Sequence, residues 1–187
     1  MTQIHDKPFL SDIEEIRRRA HQDMDRGAVT GAYPLDLNQA IKVLNQVLAS
    51  EIVCVLRYKR HYFMAQGIHA ESVAQEFLQH ANDEQLHADQ VAERITQLQG
   101  EPNLDPEGML TRAVSKYRED AGSGREKLTE MIKEDLLAER VVIIWYAEIV
   151  RWFGEQDPTS RRMMEDLLAK EEEHADDLAN LLAEIDQ

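Results

Sequence analysis

The feature that most constrains the fold is an apolar stripe at helical spacing that a carboxylate and an imidazole interrupt. Glu171 and His174 lie three residues apart on this stripe, near the end of the sequence. The complete stripe is Met164, Leu167, Glu171, His174, Leu178, Leu181 and Ile185. Its steps alternate between three and four residues, which keeps all of these side chains on one face of a helix. The pattern predicts a long helix that carries two polar side chains into a core.

A second copy of this polar pair lies upstream, on another stripe with the same spacing. Glu84 and His87 take the places of Glu171 and His174, and both copies continue as His-Ala-Asp. The second stripe is Phe77, His80, Glu84, His87, Val91, Ile95 and Leu98. Glu-x-x-His alone is a weak motif, and its position on an apolar stripe supplies the specificity. The repetition predicts two related helices that face one core.

Residues that favour helix starts and stops divide the chain into four long helices. The start residues are Asp36 and the pair Asp157 and Pro158, and the stop residues are Gly67, Gly100 and Gly154. The predicted helices span 36–66, 70–99, 126–153 and 158–185. Caps of this kind satisfy or end the backbone hydrogen bonds of a helix. No strand pattern competes with them, so the sequence predicts an all-α fold.

The lengths of the connections predict the topology of the bundle. Short connections make the first two helices antiparallel neighbours, and likewise the last two. The 25 residues of 101–125 separate the pairs. A connection of this length can return along a helix of ~42 Å, so the bundle is predicted to run up-down-down-up. Asp105 and Pro106 are expected to begin a short helix in this crossover, with the apolar residues Leu110, Ala113, Val114 and Tyr117.

Residues 1–35 are predicted to form an N-terminal extension to a bundle domain of residues 36–187. Ser11 and Glu14 have the spacing of a capping box, and Gly27 would end the helix that follows. The apolar face of that helix would be Ile13, Ile16, Ala20 and Met24.

Composition restricts the partners and the compartment. The net charge is −15 and the pI about 4.8, which disfavours binding to nucleic acid or an anionic membrane. Residues 1–30 hold five Lys or Arg and six Asp or Glu, so direct DNA binding through this arm is not expected. The longest apolar run, Val141 to Ala147, is too short to span a bilayer. Cys54 is the single cysteine, which permits no internal disulfide, and a cytoplasmic location is the simplest expectation.

Each long helix carries one Glu near its midpoint on the core stripe. Midpoints meet whichever way a helix runs, so the bundle should bring four carboxylates and two imidazoles together. These candidate ligands are Glu51, Glu84, His87, Glu139, Glu171 and His174. Buried charges of one sign need compensation, and two divalent cations would cancel four carboxylates. Mixed nitrogen and oxygen ligands suit iron(II) or manganese(II). The alternative for any single residue is a hydrogen-bonded polar group in the core.

Two tyrosines share the core stripes with these residues. Tyr58 follows Glu51 by seven positions, and Tyr146 follows Glu139 by seven. An aromatic residue on such a stripe usually serves packing. A hydrogen bond from Tyr58 to a ligand, or electron donation by it, is the alternative function.

The order Glu, Glu-x-x-His, Glu, Glu-x-x-His on successive helices resembles the ferritin-like superfamily, and its bacterioferritin branch in particular, over about residues 36–185. The segments 84–89 (EQLHAD) and 100–104 (GEPNL) are especially similar to bacterioferritin. The resemblance implies a site for two irons per subunit that oxidises Fe(II) for storage inside a homo-oligomeric shell. It also implies that Glu84 and Glu171 bind or bridge the metals and that the other four residues are terminal ligands. Manganese is the alternative metal, and zinc is expected to substitute.

Three departures from the bacterioferritin pattern change these expectations. Gln85 occupies the position of the methionine that ligates haem, so no haem is expected. Only thirteen residues follow His174, which leaves no room for a fifth helix. The N-terminal extension and the crossover helix are similar to those of the Dps proteins, which form smaller shells. The sequence therefore favours a dodecamer over a shell of 24 subunits.

Two rival functions remain open at this point. One is a manganese catalase-like enzyme, and the other is a Dps-like protein that protects DNA from iron and peroxide. The oxidant of the leading function, a ferroxidase, would be oxygen or hydrogen peroxide.

Overall fold

In a computed structural model, the described residues are 12–22, 24–66, 70–117 and 125–185, with side chains from residue 128 onward in the last range. Their helices are α1 (Ile13–Ala20), a 3₁₀ turn (Met24–Arg26), α2 (Leu37–Met64), α3 (Ala70–Gln97), α4 (Met109–Arg112), α5 (Arg125–Phe153) and α6 (Pro158–Ile185). None of these residues is in a strand. The predicted all-α fold is confirmed, and the four long helices lie within two residues of the predicted bounds.

Contacts between side chains give the direction of each long helix. Glu51 of α2 lies beside His87 of α3, whereas Tyr58, further along α2, contacts Phe77, which is earlier in α3. These two helices are therefore antiparallel. Tyr58 also reaches Glu139 of α5, and Tyr146 of α5 reaches back to Glu51. This crossing makes α2 and α5 antiparallel as well, so α3 and α5 run parallel, as the up-down-down-up prediction requires.

Local signals account for most helix ends. The Asp36 carboxylate accepts a hydrogen bond from the Gln39 backbone N–H at 3.1 Å, and Asp157 accepts one from the Ser160 backbone N–H at 2.9 Å. Gly154 has the positive φ of +48° that an αL stop requires. Gly67, the predicted stop of α2, lies outside the described residues.

The end of α3 differs from the prediction. The helix ends at Gln97, and Gln99 rather than Gly100 adopts the positive φ, at 63°. A Cβ on Gly100 would lie 2.8 Å from Cγ2 of Ile41. Gly100 is therefore needed for the close packing of the crossover against α2.

The crossover helix is shorter and later than predicted. Asp105 accepts a hydrogen bond from the Glu107 backbone N–H at 2.9 Å, which forms a turn instead of capping a helix. Gly108, with φ of +75°, then separates this turn from α4. Met109 faces the core, while Leu110, predicted to do so, is 62 % exposed.

The N-terminal residues contact the bundle only in part. Helix α1 begins at Ile13, where the Asp12 carboxylate accepts a hydrogen bond from the Glu14 backbone N–H at 2.8 Å, and the predicted cap Ser11 lies outside the described residues. The helix ends at Ala20, before the predicted stop at Gly27, and Met24 begins a separate 3₁₀ turn. No residue of α1 is buried. Val29, in contrast, is buried in the core, and the Tyr33 hydroxyl donates a hydrogen bond to Asp157 at 2.8 Å. The domain boundary at residue 35 stays a prediction.

The described core has three apolar clusters, and the two larger ones lie on either side of a polar layer. The first contains Leu44, Leu48, Val91, Ile95, Val142, Ile149, Phe153, Met164 and Leu167. The second contains Tyr58, Phe77, Ala81, Leu128, Met131, Ile132, Leu178 and Ile185. Apolar burial of this extent stabilises the bundle and holds the helix midpoints at one level.

Helix α2 is the one described helix long and apolar enough to cross a membrane by length and composition. More than half of its most apolar stretch is buried inside the bundle. The same helix buries Glu51, Arg57 and His61 against partners in the protein. Its composition is that of the central core helix of this fold.

Candidate metal centre

The polar layer consists of the six residues predicted from the sequence as metal ligands. One Glu comes from α2 and one from α5, and a Glu and a His come from each of α3 and α6. The residues are Glu51, Glu84, His87, Glu139, Glu171 and His174. His87 has an exposed fraction of 6 %, and the other five are at or below 1 %. The structure thus brings all six together in the interior.

Their ligand atoms form two overlapping groups. In each group, one atom per residue lies within 4.8 Å of the others. The first group is Glu51, Glu84, His87 and Glu171, and the second is Glu84, Glu139, Glu171 and His174. Glu84 and Glu171 belong to both groups. An arrangement with two shared carboxylates can hold two cations side by side, each with one further Glu and one His.

The histidines are surrounded by these carboxylates. His87 Nδ1 lies 3.1 Å from Glu171 Oε1, 3.4 Å from Glu84 Oε2 and 3.5 Å from Glu51 Oε2. His174 Nδ1 lies 3.3 Å from Glu84 Oε1 and 3.4 Å from Glu171 Oε2. Ligands of one ion at about 2.0–2.2 Å stand at such separations from one another.

Many of the inward-facing atoms have no hydrogen-bond partner among the described residues. They are Glu51 Oε2, both oxygens of Glu84 and of Glu171, Glu139 Oε2, and the Nδ1 atoms of His87 and His174. An unpaired buried oxygen or nitrogen is costly, and native proteins keep few of them. Because these orphaned atoms are the ones that converge, the residues present fit a pair of divalent cations.

Protonation compensates part of the charge without metal. Burial and the neighbouring Glu84 raise the pKa of Glu51 to about 8. Burial, with Glu171 and Glu84, also raises the pKa of Glu139 well above its usual value. Burial alone would lower the pKa of His174, but Glu171 and Glu84 raise it to about 10.

His87 and Glu171 shift each other's pKa values in opposite directions. Burial opposes the charge of His87, yet Glu171, Glu51 and Glu84 together raise its pKa above the usual range. Burial and Glu51 act to raise the pKa of Glu171, but His174 and His87 leave it below the usual value. A metal ion bound there would displace these protons, so its binding should tighten as pH rises.

Two tyrosine hydroxyls hold the outer Glu residues from the opposite helix pair. The Tyr58 hydroxyl donates a hydrogen bond to Glu139 Oε1, and the Tyr146 hydroxyl donates one to Glu51 Oε1. Each leaves the second carboxylate oxygen directed at the centre. The hydrogen-bond alternative for Tyr58 thus has a geometric basis. Tyr146 was expected only to pack. Its position seven residues after Glu139, which matches that of Tyr58 after Glu51, was the signal that could have predicted its hydrogen bond.

Polar residues beyond the six were not predicted as part of this region. Asp83 Oδ2 lies 3.4 Å from Nε2 of His174 and can orient that ring. The ring of His80 stacks on the ring of His174, with a distance of 4.0 Å between the ring centroids. Burial, with the nearby His174 and Lys170, lowers the pKa of His80 to about 3. The presence of His80 on the same apolar stripe as Glu84 was the signal available in the sequence.

Comparison with known proteins identifies the class. The Ferritin-like domain family matches residues 41–187, most of the chain. The chain belongs to this family, and the resemblance seen in the sequence is confirmed.

Several relatives are similar over most of their length. A bacterioferritin from Mycobacterium leprae is 29 % identical over 76 % of this chain and 83 % of its own. A nutrient stress-induced DNA-binding protein from Nostoc sp. is 29 % identical over 75 % of each chain. A solved structure described as a dodecameric thioferritin, the bacterioferritin-related protein of Bacteroides fragilis, superposes with a TM-score of 0.76. That protein is 31 % identical over 81 % of this chain and 88 % of its own.

Proposed function

We propose that this protein is a ferroxidase that oxidises Fe(II) at the paired centre and sequesters the iron in a homo-oligomeric shell. The observation that carries the proposal is the convergence of orphaned ligand atoms from all four long helices on two adjacent positions. The similarity to bacterioferritins supports iron as the metal and a cytoplasmic location.

The residues have distinct functions in this proposal. Glu84 and Glu171 would be shared by the two Fe(II) ions, because they belong to both ligand groups. Glu51 and His87 complete one position, and Glu139 and His174 complete the other. Four carboxylates balance the four positive charges of two Fe(II) ions, so the loaded centre adds no net charge to the core.

Two adjacent Fe(II) ions supply electrons as a pair. Oxygen accepts two electrons and two protons to give hydrogen peroxide, and peroxide accepts two electrons and two protons to give two waters. Either reaction converts two Fe(II) to two Fe(III) and avoids release of a one-electron oxygen product. The burial of the layer keeps bulk water from these ions.

Exposed apolar side chains on α2 and α5 support the proposal of a shell. Leu56 and Phe63 on α2 are 52 % and 75 % exposed, and Leu137 and Ile144 on α5 are 57 % and 66 % exposed. Both pairs have seven-residue spacing, which places each pair on one helix face. Subunit contacts would cover them. The dodecameric state of the Bacteroides fragilis relative favours twelve subunits.

A second candidate is stress protection of DNA, since relatives named as DNA-binding proteins match at 29 % identity. The charge of −15 favours protection by removal of iron and peroxide without contact with DNA. Mobility-shift measurements at low and physiological salt separate the two modes.

Replacement of the two shared carboxylates tests the proposed function. Glu84→Ala and Glu171→Ala should reduce the rate of Fe(II) oxidation to that of the protein-free reaction, with the shell intact. The measurement is stopped-flow absorbance after aerobic mixing with two Fe(II) per subunit. Glu172→Ala is the matched control, because Glu172 is exposed beside Glu171. Wild-type rates in both site variants would show that oxidation occurs elsewhere and would reduce the six residues to a polar core.

Light scattering tests the shell. A monomer or dimer at physiological salt would refute storage, whereas 24 subunits would refute only the dodecamer. The same preparation can be supplied with manganese and hydrogen peroxide. Rapid peroxide turnover without iron would instead favour the manganese catalase-like alternative.

A further inference from the structure

A third group of potential ligands lies beside the paired centre. Glu76 and His80 are one turn apart on α3, and Asp177 faces them from α6. His80 Nε2 lies 3.3 Å from Glu76 Oε1 and 3.7 Å from Asp177 Oδ2. One ligand atom from each residue lies within 4.8 Å of the others. None of the three belongs to the ligand groups of the paired centre.

The buried histidine of this group points independently to a ligand. His80 has an exposed fraction of 0 %, and neither ring nitrogen has a hydrogen-bond partner in the part of the chain that the structure describes. By comparison, the equally buried His61 has Asp135 Oδ2 at 2.7 Å from Nδ1. An imidazole buried without a partner is destabilising. Its Nε2 atom is directed at two carboxylates, which is the environment of a metal ligand.

The spacing of the three atoms fits a transition-metal ion. Imidazole nitrogen and carboxylate oxygen bind such ions at about 2.0–2.2 Å. Two ligands of one ion at tetrahedral or octahedral angles are then about 3.0–3.5 Å apart, close to the two separations observed here. One nitrogen and two oxygens leave coordination positions open for water.

The surroundings make this group accessible and distinct. The side chains of Glu76 and Asp177 are 29 % and 39 % exposed, so an ion can reach them from solvent. On the inner side, the ring of His80 stacks on that of His174. Lys170, whose charge also acts on Glu76, forms its ion pairs with Glu173 at 3.0 Å and with Asp83 at 3.5 Å.

We propose that Glu76, His80 and Asp177 form a third, mononuclear site for a divalent transition-metal ion, open to solvent and one imidazole ring away from the paired centre. An ion at this site would be held next to His174, whether or not the paired centre holds metal ions. The site extends the proposed function but does not depend on it, because its three ligands are separate from the six of the centre.

Cobalt(II) is a suitable probe because it binds nitrogen and oxygen ligands and is not oxidised by air in such sites. Metal-free shells would be dialysed against Co(II) at fixed pH and the bound metal counted per subunit. Wild type should bind three ions, while Asp177→Asn and Glu76→Gln should each bind one fewer. Asp176→Asn is the matched control, since Asp176 is an exposed acid next to Asp177 and outside the group. It should bind as wild type.

Anomalous diffraction at the cobalt edge locates the lost ion. The expected result is a peak within bonding distance of His80 Nε2 in wild type that is absent from Asp177→Asn, with two peaks at the paired centre retained. Equal cobalt content in wild type, Asp177→Asn and Glu76→Gln, or no peak at His80 in saturated wild type, would overturn the proposal. Failure of the paired centre would give a different pattern, in which its two peaks are missing and the peak at His80 remains.

Discussion

Glu51→Gln is expected to stabilise the metal-free protein while it impairs metal binding. Glu51 is buried, and burial together with Glu84 raises the pKa of its carboxyl from 4.5 to about 8. The folded protein therefore holds a proton at this position that the unfolded chain releases near pH 4.5. Between these two values, the unfolded state is favoured increasingly as pH rises, so apo stability falls across this window.

The magnitude follows from the width of the window. At pH 7 the penalty extends over about 2.5 pH units at about 1.4 kcal/mol each, or about 3 kcal/mol. At pH 5 it is under about 1 kcal/mol. Glutamine has nearly the same shape, its carbonyl can still accept the Tyr146 hydroxyl, and it carries no charge. The gain is an upper limit, because the oxygen that lies 3.5 Å from His87 Nδ1 is also lost.

Thermal unfolding of chelator-treated protein measures this effect at fixed subunit concentration. Glu51→Gln should melt roughly 6–12 °C above wild type at pH 7, with a much smaller difference at pH 5. Glu172→Gln, at an exposed position, is the control and should not shift the melting temperature. Equal or lower stability of Glu51→Gln at pH 7 would show that the Glu51 carboxyl is ionised and well paired in the empty site, which would refute the reasoning.

Three further predictions concern proton release, the two tyrosines and haem. Without metal, the pKa values of Glu51 and His174 are raised to about 8 and about 10, and those of Glu139 and His87 are raised as well. Binding of Zn(II) in weak buffer at pH 7 should therefore release protons, and release of none would contradict this. Tyr58→Phe and Tyr146→Phe should each slow Fe(II) oxidation by no more than about tenfold, since each removes one hydrogen bond to an outer ligand. A far larger loss in Tyr58→Phe alone would favour electron donation by that residue. Finally, the absorption spectrum should lack a Soret band, because Gln85 stands where a methionine ligand would be required.

Much of the fold could be predicted because its signals are local. Asp36, Asp157 and Gly154 act on backbone groups within one turn of themselves, and the structure uses them as the sequence indicated. The convergence of the six polar residues was predictable for a different reason. Each Glu lies near the middle of its helix, so the helix direction did not have to be known.

The buried face of α5 shows what local signals miss. Leu136 is partly buried against the second apolar cluster, as an apolar residue at that position should be, but the neighbouring Asp135 is fully buried. Asp135 lies 3.2 Å from Arg57 Nε and 2.7 Å from His61 Nδ1, both on α2. In a sequence, a buried carboxylate cannot be distinguished from an exposed one until its partners on another helix are known. The same limit applied to Tyr146, whose partner Glu51 is 95 positions away.

The division of ligands between the helix pairs has a mechanical consequence. Each candidate metal position takes ligands from both the α2–α3 hairpin and the α5–α6 hairpin. A bound ion is thus a cross-link between the two halves of the chain, which its single cysteine cannot supply as an internal disulfide. Iron-loaded subunits should open as one unit, whereas in iron-depleted subunits the hairpins would separate first. Metal occupancy would then set the rigidity of each subunit.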